Sequence, residues 1–155
     1  IMLGSGAQHA AAEVLALAER LNAPVTAFRG GRGIVPADHP LWVNSVEAYE
    51  LWGDTDVLIG IGSRCEMQAM RWRGMMDASD RITAERKLIR IDIEPEEMLR
   101  LKPDVGVVCD SAIGTAAIAD GLAADGFAGS ENQERIADAR TRAAELINTI
   151  QPQVS

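Results

Sequence analysis

Cysteine is scarce in this sequence. Cys65 and Cys109 are the only two in 155 residues. Neither stands in a CxxC or Cys/His spacing, so there is no disulfide framework and no zinc motif. Two buried free thiols are the reading, and they fit a reducing compartment. Aromatic residues are few as well: Trp42, Trp52 and Trp72 make up half of the six. With six methionines, they read as core or interface and not as a platform for stacked bases. Basic charge is short, with 15 Lys and Arg against 23 Asp and Glu and a net charge of −8. A chain this acidic repels phosphate backbones, which excludes nucleic acid as a general partner. Nor does any apolar run approach the roughly 20 residues of a membrane span, and no secretory leader is visible. The expected location is the cytoplasm, with no membrane partner.

Catalytic signatures are missing too. There is no GxxxxGK[ST] phosphate loop and no GxSxG nucleophile elbow. Gly4-x-Gly6 opens like a dinucleotide fingerprint, but His9 occupies the place of the third small residue. Gly60-x-Gly62 meets Cys65 at the same point, and Phe28-Arg29, not an acid, close the second strand-like run. A standard NAD dehydrogenase is excluded. His9 sits at a helix start and His39 in a turn between prolines. Neither has an acid or nucleophile at a catalytic spacing.

What the chain does have is alternation. Apolar runs at 1–4, 24–28, 56–62, 88–93 and 105–109 read as strands. DVLIGIG at 56–62 is continuously apolar in its middle, as in a strand covered on both faces. Helical periods fall at 8–22, 45–53, 66–77 and 95–101, and from Ser111 onward. The first helix sets Ala11, Ala12, Leu15, Ala18 and Leu21 on one face. Ser111 is the expected N-cap of the helix that follows it. The last helix, about 131–150, aligns Ile136, Ala139, Ala143, Leu146, Ile147 and Ile150. Strands alternating with helices require crossovers. The predicted fold is therefore α/β, three-layer α/β/α, with a mostly parallel, five- to six-stranded Rossmann-like sheet. Only three apolar residues precede the first glycine, so the first strand is expected to begin upstream of residue 1.

In open α/β sheets, ligands lie beyond the carboxyl ends of the strands. Those ends carry Gly4-Ser5-Gly6, Gly30-Gly31-Arg32-Gly33, Gly60-Ile61-Gly62-Ser63-Arg64, Asp92-Ile93-Glu94 and Asp110. Glycine lets backbone amides approach a phosphate, arginine binds it through two hydrogen bonds, and a carboxylate takes ribose hydroxyls. The set is coherent for a nucleotide diphosphate. Short βα turns, however, need glycine in any case.

The order of segments resembles the middle domain of thiamine diphosphate-dependent enzymes of the acetolactate synthase and benzoylformate decarboxylase type. The carriers are MLGSGAQHAAAEVLALAERLNAPV, GGRGIVPADHPL, DTDVLIGIGSR, KLIRIDIEPEEM and DVGVVCDSAIGTAAIADGL, from residue 2 to about 122. The resemblance implies a six-stranded parallel sheet, with the sixth strand sought in 66–87. It implies that residues 1–150 form one middle domain of a three-domain enzyme, and that 151–155 begin a linker.

It also implies partners: two catalytic domains in the parent chain, and a homodimer or homotetramer. Thiamine diphosphate and magnesium belong to those other domains through a GDG…N segment, which this chain lacks. The chain alone is therefore expected to be catalytically inactive. The parent is expected to act on a 2-oxo acid as a carboligase or decarboxylase. Some relatives hold FAD or ADP in this domain and others hold nothing. The matching positions are Gly4, Ser5 and Gly6 near the phosphates, Gly31 and Gly33 along the cleft, and Gly62 and Arg64 at the phosphates. Asp92 and Ile93 would meet the ribose and adenine side, and Asp110 the adenine pocket. Flavin-binding synthases carry a Gly-Met-His-Gly-like run where this chain has LWVNSVEAY, so an empty structural domain is the favoured expectation. The competing readings are a freestanding FAD-, ADP- or NAD-binding module and, from the tryptophans, an interaction domain.

Overall fold

The computed structural model describes residues 1–66 and 86–150. Five strands are present: β1 (Met2–Leu3), β2 (Thr26–Ala27), β3 (Val57–Ile61), β4 (Lys87–Asp92) and β5 (Val105–Val108). They form one sheet in the order β2-β1-β3-β4-β5, and every pairing is parallel. The helices are α1 (Ala11–Leu21), α2 (Ser45–Glu50), α3 (Glu97–Arg100), α4 (Ser111–Ala124) and α5 (Gln133–Ile150). The three-layer α/β/α expectation holds. The helix expected at 66–77 and the search for a sixth strand in 66–87 fall almost wholly outside the described residues.

A sixth extended segment does pair in parallel, at the β2 edge. Val25 and Trp42 form an isolated parallel bridge. The Val25 amide donates to the Leu41 carbonyl at 2.8 Å, and the Val43 amide donates to the Val25 carbonyl at 2.9 Å. The short extended piece at 41–43 thus covers the β2 edge, where an open strand would invite foreign pairing.

α1 and α4 pack against each other, and α2 packs against α5. α1 buries Val14, Leu17 and Ala18, while Ala11, Leu15 and Leu21 are partly covered. The apolar arc is therefore wider than the predicted stripe, and its centre is displaced toward Val14 and Leu17. α1 ends at Asn22, whose left-handed backbone (φ 48) caps the helix. The loop after α4 is tied back to this point. The Asn22 side chain donates to the Ser130 carbonyl at 3.0 Å, and Asn132 donates to the Asn22 carbonyl at 2.9 Å. Gly129 packs so tightly here that an added Cβ would lie 1.8 Å from the Leu21 oxygen.

α5 splits its predicted stripe in two. Ile136, Ala139 and Ala143 are buried, whereas Leu146, Ile147 and Ile150 are 43%, 44% and 52% exposed. The core side is right, but the helix outruns it. No helix among the described residues is long and apolar enough to cross a membrane.

Candidate functional site

β1 and β3 are neighbours, but the chain leaves β1 toward β2 on one side and leaves β3 toward β4 on the other. Their carboxyl ends therefore flank the crevice at the point where the strand order reverses. A cleft of about 370 Å³ opens there. Of the ten predicted site residues, Gly4, Ser5, Gly6, Gly62, Arg64 and Asp92 line it. The other four do not. Gly31 is buried beneath β1, where a Cβ would lie 2.5 Å from the Leu3 oxygen. Gly33 (φ 88) stands in open space, and Ile93 is 72% exposed.

Asp110 has a different occupation. Its Oδ1 accepts the amides of Ala112 and Ile113 at 2.9 and 3.3 Å, and its Oδ2 meets His9 Nε2 at 2.8 Å. It is the N-cap of α4, the role expected of Ser111. Ser111 is instead the first helical residue, and its hydroxyl donates to the Gly6 carbonyl at 2.7 Å. The His9 hydrogen bond, followed by those from the two amides, holds the Asp110 carboxyl below the usual aspartate range.

The glycines answer to packing. A Cβ on Gly4 would sit 2.1 Å from the Gly62 oxygen, and one on Gly62 would sit 2.4 Å from the Gly6 carbonyl carbon. Gly62 also has φ 51, a conformation that favours glycine. Their amides are engaged within the fold. Gly4 donates to Ile61 and Gly6 to Gly62, both at 3.1 Å, and Gly62 donates to Ile91 at 2.8 Å. These three amides are taken up by carbonyls of β3, β4 and the Gly62 turn, and not left for a ligand.

The residues that sequence reasoning missed are charged. Arg90 lies mid-strand in β4 and is fully buried. It donates through Nη2 to the Ser63 carbonyl at 2.8 Å and to Glu97 Oε2 at 3.2 Å. Nη1 reaches the carbonyls of Glu97 and of Leu101, the latter at 3.3 Å. Glu97 also receives Arg64 Nε at 3.3 Å and Arg100 Nη2 at 2.8 Å. The Arg100 hydrogen bond, foremost, holds the Glu97 carboxyl below the usual glutamate range; burial opposes it, and Arg90 adds a smaller lowering. The signal was available: an arginine inside LIRIDI, a run bound for a central strand, must find an anion or carbonyls when buried.

The cleft lining carries two arginines, Arg29 and Arg64, against the carboxylates of Glu66, Asp92, Glu94 and Glu97. With that balance, and with the three glycine amides committed, the residues present do not fit a nucleotide diphosphate. Cys65 lies in the lining but is buried, with a left-handed backbone (φ 52). Burial pushes its thiol up, so it stays protonated and unreactive. Among the described residues, no cluster of His, Cys, Asp and Glu could hold a metal ion.

Comparison with known proteins completes the picture. The family described as "Thiamine pyrophosphate enzyme, central domain" matches residues 1–118. The chain is 34% identical over 121 residues to the glyoxylate carboligase of Escherichia coli O157:H7, covering 72% of this chain and 19% of that protein. It is 32% identical over 127 residues to a probable acetolactate synthase large subunit of Methanocaldococcus jannaschii, covering 72% and 19%. Against the putative thiamine pyrophosphate-containing protein YdaP of Bacillus subtilis (strain 168), identity is 27% over 121 residues, covering 74% and 19%. The chain thus spans about a fifth of the length of the curated relatives it matches. A matched segment covering most of the chain, on an all-parallel sheet, makes this protein a member of the thiamine pyrophosphate enzyme central-domain family.

Proposed function

We propose that the chain is the middle domain of a thiamine diphosphate-dependent enzyme acting on 2-oxo acids, as a carboligase or decarboxylase. In this reading it spaces and orients two catalytic domains and takes no part in the chemistry. The family match over residues 1–118 carries the proposal. Relatives bearing the names glyoxylate carboligase and acetolactate synthase supply the substrate class. Thiamine diphosphate, with magnesium, would sit in the other domains and act there as the electron sink for the bond next to the substrate carbonyl. The parent is proposed to be a cytoplasmic homodimer or homotetramer. The two free thiols, Cys65 and Cys109, are consistent with that compartment.

The test is made on the parent polypeptide. Its reading frame is expected to contain a GDG…N segment after this domain. The purified enzyme is expected to release CO2 from one or more 2-oxo acids, from glyoxylate upward, only when thiamine diphosphate and magnesium are added. A frame without GDG…N, or turnover indifferent to thiamine diphosphate, sinks the proposal.

The alternative is a freestanding FAD-, ADP- or NAD-binding module, and the position of the cleft at the strand-order reversal favours it. The acidic lining and the engaged amides weigh against it, and the middle domain is proposed to work without a resident nucleotide.

A further inference from the structure

The cations nearest the expected phosphate position are already spoken for. Arg64 follows β3, Arg90 rises from β4, and Arg100 ends α3. All three converge on Glu97, at 3.3, 3.2 and 2.8 Å. Arg64 also faces Glu66, at 3.9 Å, while Arg90 and Arg100 turn further donors to backbone oxygens. Arg90 serves Ser63, Glu97 and Leu101, and Arg100 reaches the Arg64 carbonyl. Among the buried guanidinium nitrogens of the three, Arg90 Nε lacks a hydrogen-bond partner. Arg29, on the far wall, is an exposed cation stacked over Phe28 at 5.0 Å.

We propose that Glu97 is a built-in anion, which takes the place a ligand phosphate would occupy and closes the cleft to nucleotide diphosphates. The inference concerns this cleft and builds on the reading of a domain without a nucleotide. The physical reason is competition. A diphosphate entering beside β3 must draw Arg64 from Glu97, and it leaves a nearly buried carboxylate short of a partner while facing Asp92 and Glu94. An internal carboxylate on a short helix, fixed by two further arginines, has no translational freedom to lose, and an incoming anion does.

Without the Glu97 carboxylate, the three arginines become a vacant anion site of the kind guanidinium groups favour.

The test uses the 155-residue chain with four probes: ADP, FAD, inorganic pyrophosphate and acetate. The unaltered chain is expected to show no saturable heat with ADP or FAD in calorimetry, and no change in Tm with pyrophosphate or acetate at constant ionic strength. Glu97→Ala is expected to melt lower than the parent and to recover about 3 °C or more when pyrophosphate or acetate is added, because an anion bound only by the folded state raises Tm. Glu97→Ser, which also empties the place of the carboxylate, serves if the alanine variant does not fold, and the same recovery is expected. Glu94→Gln removes a cleft charge but frees no arginine, and should show no anion response. Saturable ADP or FAD binding by the unaltered chain overturns the proposal, as does a folded Glu97 variant that no anion stabilises. Either result would leave the thiamine-enzyme assignment standing. A parent frame without GDG…N would end that assignment without touching Glu97.

Discussion

Gly62 illustrates how one residue can satisfy a ligand argument and a packing argument at once. Its φ of 51 and the 2.4 Å between a Cβ and the Gly6 carbonyl carbon make glycine obligatory with no nucleotide in view. Gly62→Ala is expected to cost about 2 to 4 kcal/mol, from strain plus forced separation of the two loops, as measured by urea unfolding. A loss under about 0.5 kcal/mol would mean that the loops part easily. Arg90 and Glu97 form the second test at this scale. A double-mutant cycle of Arg90→Met and Glu97→Gln is expected to give a coupling of about 1 to 3 kcal/mol, since either change alone removes the charged partner of a buried or nearly buried group. Sequence reading found the glycines because turns advertise them. It missed Glu97 because nothing local distinguishes it from Glu94 and Glu96, and three arginines from separate elements converge only after folding.

At the scale of elements, caps carry the clearest predictions. Asn44 accepts the amides of Val46 and Glu47, while Glu47 reaches back to the Asn44 amide at 2.8 Å. Asn44→Ala is expected to cost about 1 kcal/mol by chemical denaturation, a typical value for losing such a cap. The pH dependence has a definite sign. Asp110 and Glu97 both titrate below their ordinary values of 3.8 and 4.5 in the folded chain. Carboxyls depressed by folding stabilise the protein above those ordinary values. That stability is lost as pH falls through the lower folded values. Tm is therefore expected to fall below about pH 4.5, and the fall should be shallower in Asp110→Asn. An identical acid limb in that variant would show that the His9 contact contributes nothing. All five strands were legible because apolar runs bounded by glycine, proline and acid are local signals. The sixth paired segment, bridging Val25 to Trp42, was not: one bridge in LWV has no period to detect.

The whole molecule treats its two sheet edges differently. The β2 edge is covered by residues 41–43. At the other, Val105 and Val108 of β5 remain half-exposed. The core-facing stripe of α5 likewise continues past the domain, so Leu146, Ile147 and Ile150 add little to its stability. Ile147→Glu is expected to shift Tm by less than about 2 °C, whereas Ile136→Asp, buried in the core, should prevent cooperative melting. A large loss from Ile147→Glu would mean that the end of α5 is covered in solution.

Gly129 fastens the C-terminal helix to the rest of the chain, held within van der Waals reach of the last carbonyls of α1 by a cluster of asparagine amides. A methyl group there would wedge the fastening apart and leave the sheet intact. Pulling on α5 should therefore release it as a separate, earlier event, at a force set by this clasp together with the α2 contact and the Arg140 and Arg142 bonds, and not by the sheet beneath.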